Sequence, residues 1–114
     1  MSLYSFDFET HKVQPGLLAP PIVCMSQAWR ESSGAIDTSL LPRDQCIEAL
    51  HASLNTYDLV FVGANLAYDW GCVLAVRPEL LPLIWKAYED GRVFDVLIAG
   101  TLDAIYDGRL TDDG

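Results

Sequence analysis

Residues 59–69 read Leu59-Val60-Phe61-Val62-Gly63-Ala64-Asn65-Leu66-Ala67-Tyr68-Asp69. Four consecutive apolar residues ending at a glycine suit a buried strand. From Asn65 to Val76 the pattern reads as a helix, closed by Arg77-Pro78, because the residue before a proline is biased away from the helical region. A buried strand running directly into a helix belongs to an α/β sheet, in which functional groups gather where strands end and helices begin. Asn65 and Asp69 stand at i and i+4, so one helix face is expected to carry both, with Asp69 pointing back over the end of the sheet.

Upstream, Leu3 to Glu9 alternates, with Tyr4, Phe6 and Phe8 on one face and Ser5, Asp7 and Glu9 on the other, which predicts a half-buried strand. Pro15-Gly16 and Pro20-Pro21 punctuate a loop over His11 to Pro21. A second strand is expected from Ile22 to Trp29, a hairpin turn at Arg30 to Gly34, and a third short strand near Ala35 to Thr38. An amphipathic helix follows from Arg43 to Asn55, with Pro42 at its start and Ile47, Leu50 and Leu54 on its apolar face. Downstream of the central segment, a helix is expected from Glu79 to Asp90, stopped by Gly91. Val93 to Asp95 reads as extended, and Asp95 as the cap of a last helix to about Tyr106. The order βββαβα predicts an α/β layer fold, a mixed sheet with flanking helices. The tail from Asp107 to Gly114 carries turn formers without a closing element, as at a boundary inside a larger protein.

The 114 residues are 51% hydrophobic, with 7 Lys+Arg against 16 Asp+Glu and a net charge of −9. That is one domain, residues 1–114, large enough for a real core and too apolar for a disordered chain. The acidic balance argues against holding nucleic acid by generic phosphate neutralisation, so any such contact would need bridging cations or a partner domain. Cys24, Cys46 and Cys72 form no CxxC pair, and read as reduced, partly buried thiols. The N-terminus lacks the features of a signal peptide, and the longest uncharged candidate for a membrane span is broken by Pro15, Pro20 and Pro21. A soluble, cytoplasmic protein without a membrane partner is expected.

Asp7 and Glu9 project together from the polar side of a strand anchored in the core. Two acids held at one point repel unless a cation lies between them, and hard oxygen ligands of this kind suit Mg²⁺ or Mn²⁺. The plainer alternative is the exposed face of an edge strand. Asn65, Tyr68 and Asp69 likewise have plain alternatives as a helix cap, a half-buried packing residue and a solvated charge. Trp29, Trp70 and Trp85 are expected to be packing residues, since no basic stripe accompanies them.

Taken together, Phe6-Asp7-Phe8-Glu9-Thr10 and Asn65-Leu66-Ala67-Tyr68-Asp69 resemble the first two exonuclease motifs of the DEDD superfamily, which is ribonuclease H-like in fold. The similarity is to the 3′–5′ proofreading exonuclease domain of family A, DNA polymerase I-like DNA polymerases, especially those of bacteriophages. The stretch Trp85 to Asp95 also looks like the segment after the second motif in those enzymes. The resemblance implies that Asp7, Glu9 and Asp69 are three of the four acids that hold two Mg²⁺ or Mn²⁺ ions at a single-stranded DNA 3′ end. It implies that Thr10, Val13, Asn65 and Tyr68 contact the substrate strand, Val13 as an apolar wedge. It also implies that the basic surface gripping DNA lies in the polymerase portion of a parent protein in a bacterial or phage-infected cell.

The family's third motif, Tyr-x-x-x-Asp or His-x-x-x-x-Asp, does not follow Asp69: Tyr106 has Leu110 four residues on. The chain is therefore expected to be the N-terminal, incomplete part of such a domain, and the helix from Glu79 to Asp90, apolar at Leu80, Leu81, Ile84 and Trp85, is expected either to cover the sheet or to present an exposed patch that favours self-association. Two other functions remain open. One is a stand-alone exonuclease for RNA or oligonucleotides, and the other a non-catalytic interaction module on the same fold.

Overall fold

The computed structural model describes residues 2–16 and 19–108. Along the chain run β1 (Ser2–Thr10), β2 (Ile22–Arg30), β3 (Ile36–Pro42), α1 (Arg43–Leu54), β4 (Leu59–Gly63), α2 (Leu66–Val76), a 3₁₀ turn (Pro78–Leu80), α3 (Leu81–Glu89), β5 (Val93–Asp95) and α4 (Val96–Tyr106). The strands form one mixed sheet in the order β3-β2-β1-β4-β5. β1 is antiparallel to β2 and β2 to β3, whereas β4 runs parallel to β1 and β5 parallel to β4. This is the expected α/β class and element order. The tail residues 109–114 lie outside the described residues.

The alternation in β1 sets the layers. Tyr4, Phe6 and Phe8 are buried while Ser5, Asp7 and Glu9 are exposed. The buried face meets Trp70 of α2, whose ring centroid lies 4.9 Å from that of Phe6 and 5.3 Å from that of Phe61. Cys46, Leu50 and Leu54 of α1 and Ile84 and Ala87 of α3 belong to the same buried cluster. Aromatic side chains dominate it because each buries a large apolar area and their tilted and edge contacts are mutually favourable. On the open face, a concavity of about 400 Å³ is lined by Asp7, Ser26, Ala28, Thr38 and Leu40 among others.

Three boundaries differ from the sequence expectation. β3 is displaced to Ile36–Pro42, because Leu40, Leu41 and Pro42 continue the ladder against Ser26, Met25 and Cys24. Pro42 ends that strand as the extended N-cap of α1 rather than entering the helix. The expected helix from Glu79 is a 3₁₀ turn followed by α3: Pro82 has no N–H to offer the Pro78 carbonyl, and the Leu81 N–H takes that acceptor instead. Trp85 is corrected as well. It is 63% exposed, since α3 turns Ile84 and Ala87 inward, and a residue next to Ile84 is rotated roughly 100° off that face.

Arg92 locks the lower half of the sheet. It is 6% exposed and its guanidinium donates to the carbonyls of Leu59, Leu54, Ser53 and Thr56 at 2.7–3.3 Å. The same group lies 5.7 Å from the Phe61 ring centroid. The C-terminal carbonyls of α1, where a helix carries partial negative charge, thus receive a cation from the start of β5.

Candidate functional site

β1 outruns its parallel partner. Pairing of β1 with β4 ends at Ser5 with Val62, so the second half of β1, carrying Asp7, Glu9 and Thr10, continues past the end of β4, at the place where α2 begins. The turn into α2 is tight: a Cβ placed on Gly63 would come within 2.6 Å of the Leu66 side chain. Asn65 then adopts the left-handed conformation (φ 58°, ψ 48°) as the residue preceding the helix. It stands outside α2 and not on a shared face with Asp69, which corrects the sequence expectation, and its side chain makes no capping hydrogen bond.

Tyr68 and Asp69 occupy the first turn of α2 and both reach β1. The Tyr68 hydroxyl is 2.9 Å from Oγ1 of Thr10, and Thr10 Oγ1 also donates to the His11 carbonyl. Asp69 is only 4% exposed. Burial pushes its carboxyl up to about 6, the Phe8 backbone N–H pulls the other way as a hydrogen-bond donor, and the charges of Asp7 and Asp95 push it further up. Asp7 and Glu9 lie side by side on the exposed face of β1. Val13 is half exposed in the loop after β1 and outside the core cluster.

The cap that Asn65 does not provide comes from thirty residues away. The carboxylate of Asp95 accepts the backbone N–H groups of Asn65 (3.2 Å) and Leu66 (2.8 Å) at the start of α2, and those of Leu97 (2.9 Å) and Ile98 (3.3 Å) at the start of α4. Burial works against the charge of Asp95, but these donors outweigh it and hold the carboxyl below the usual carboxylate range. The α4 half of this arrangement was legible as an N-cap signal before Val96. The α2 half was not, because an asparagine already stood at the cap position there.

Asp7, Glu9 and Asp69 offer only carboxylate oxygens, a donor chemistry that fits a hard divalent cation. Among the described residues, no group of three or more His, Cys, Asp or Glu side chains is gathered closely enough to hold a metal ion. Cys46 and Cys72 are buried, Cys24 is half-buried, and all three are free thiols. No helix among the described residues is long and apolar enough to cross a membrane.

The fold and site define a one-sheet α/β protein with carboxylates where the central strand β1 meets the first turn of α2. No family model, curated protein or solved structure matches the chain.

Proposed function

We propose that this chain is the N-terminal part of a ribonuclease H-like 3′–5′ exonuclease module of a family A, phage-type DNA polymerase. The observation that carries the reading is the Thr10–Tyr68 contact across 58 residues. With it, Asp69 comes under the electrostatic influence of Asp7. The two segments that resemble exonuclease motifs thereby meet at one end of the central strand, and the βββαβα order is the one the resemblance implies.

In this reading Asp7, Glu9 and Asp69 would hold divalent ions, whose chemistry would be to activate a water and to stabilise negative charge on the phosphate and the leaving oxygen. Asp69 supplies a carboxylate whose charge is disfavoured in the free protein and is relieved by a neighbouring cation. Thr10 and Tyr68 form a hydroxyl pair beside the terminal nucleotide of a single-stranded DNA end. Asn65 and the exposed Val13 border the same path. The basic DNA-gripping surface would belong to the polymerase portion of a parent protein.

The test is Mn²⁺ titration by calorimetry of wild type and Asp7→Ala, with nucleotide release from a 3′-labelled single-stranded oligonucleotide followed in parallel. Mn²⁺ binding that disappears in Asp7→Ala supports the reading, and release would show that the fourth acid is present. Equal binding by the two proteins sinks it.

A non-catalytic interaction module is favoured by one feature. α4 has no buried residue, and Val96, Leu97, Ile98, Leu102 and Ile105 are all exposed. An apolar face of this kind is characteristic of an interaction surface. Equal Mn²⁺ binding by wild type and Asp7→Ala, together with self-association lost on Leu102→Lys, would establish that reading instead.

A further inference from the structure

We propose that Asp95 is a positioning residue for the carboxylate site, a clasp that fixes the first turn of α2 and thereby sets Tyr68 and Asp69 against β1. The proposal rests on the exonuclease reading above. It starts from an unusual division of labour at the entry to α2. Asn65 holds a left-handed backbone and gives no side-chain cap, so the N–H groups of Asn65 and Leu66 need an acceptor from elsewhere. Asp95 provides it with both oxygens. Oδ2 takes Leu66, while Oδ1 takes Asn65 together with Leu97 and Ile98 of α4.

The consequence is geometric. A helix turn held at its first N–H cannot rotate about its axis, and the side chains two and three residues on, Tyr68 and Asp69, are then committed to one direction. On the opposite side the same turn is tied to β1 through Tyr68 with Thr10 and through Asp69 with the Phe8 N–H. Removing the Asp95 anchor leaves the turn without its N-terminal acceptor, held by the β1 contacts and by the core packing of Leu66 and Trp70. Because the carboxylate also begins α4, the order of α4 and the placement of Asp69 become coupled through one side chain.

The two oxygens allow the roles to be separated. Asp95→Asn keeps one acceptor oxygen, enough to cap α4, and replaces the other with an NH₂ group that cannot accept from Leu66. Amide hydrogen exchange and Mn²⁺ calorimetry would be measured on the full chain for wild type, Asp95→Asn and Asp95→Ala. In Asp95→Asn, the Leu97 and Ile98 amides should stay protected, the Leu66 and Phe8 amides should exchange at least tenfold faster, and Mn²⁺ should bind at least tenfold more weakly. The Phe61 amide in the core should be unchanged. Asp95→Ala should show the same losses plus exposure of Leu97 and Ile98, and if it does not fold, Asp95→Asn carries the test. Wild-type Phe8 exchange and Mn²⁺ affinity in Asp95→Asn would overturn the clasp. If wild type itself shows no Mn²⁺ binding that depends on Asp7, the exonuclease reading fails, and Phe8 exchange alone decides whether Asp95 positions the turn.

Discussion

The hydroxyl oxygens of Thr10 and Tyr68 stand 2.9 Å apart, joining the end of the central strand to the first turn of α2 over a sequence separation of 58. Since β1 and β4 part at Ser5 and Val62, this contact ties β1 to α2 by side chains where the backbone ladder has stopped. A double-mutant cycle with Thr10→Val and Tyr68→Phe should give a coupling of about 1 kcal/mol in urea unfolding, the usual net worth of a partly buried hydrogen bond. Additive single effects would mean that the pair contributes nothing to holding α2.

Gly63 is set by close approach and not by a positive φ. The Leu66 side chain that a Cβ would strike at 2.6 Å is itself fully buried and has little room to give. Gly63→Ala is expected to destabilise by about 1–3 kcal/mol, the range for overpacking a filled core. A double-mutant cycle with Leu66→Ala should be non-additive, the two changes together costing less than their sum, because Leu66→Ala removes the atoms in conflict. A neutral Gly63→Ala would show that the turn relaxes freely.

Arg92 is a buried cation held by backbone carbonyls and one ring face. Arg92→Met keeps an apolar stem but strips the donors from the end of α1 and the start of β4. A loss of about 3 kcal/mol is expected from leaving buried acceptors short of partners. Arg92→Lys should recover little, because an ammonium cannot reproduce the planar fork that spans them. Urea midpoints of the two variants check both statements, and a loss below about 1 kcal/mol for Arg92→Met would contradict them.

Local pattern carried much of this fold into the sequence. Tyr4, Phe6 and Phe8 declare the buried side of β1 by alternation, and Leu59 to Val62 declare β4 by being apolar throughout. The misread places are those where one residue answers to a distant one. Pro82 matters through the Pro78 carbonyl, and Asn65 gives up its capping role to Asp95. The site divides the same way. Asp7 and Glu9 were legible as neighbours on a strand, whereas the burial of Asp69 depends on α2 lying against Phe6 and Phe8.

Asp69 should make stability and metal affinity depend on pH in opposite directions. Its carboxyl is raised in the folded protein from 3.8 to about 6, chiefly by burial, so between those values the folded state binds more protons than the unfolded state. Stability from this group is therefore greatest at low pH and falls as pH rises through that window, by at most about 3 kcal/mol. Asp69→Asn removes this contribution, leaves an acceptor for the Phe8 N–H, and should be the more stable protein at pH 7. A cation at the site must displace the proton held at low pH, so Mn²⁺ binding by wild type should strengthen from pH 5 to pH 7 and release protons as it does. Urea unfolding of wild type and Asp69→Asn from pH 4 to pH 7, beside calorimetry in buffers of different ionisation enthalpy, measures both. Parallel stability curves for the two proteins would show that Asp69 does not carry this burial cost.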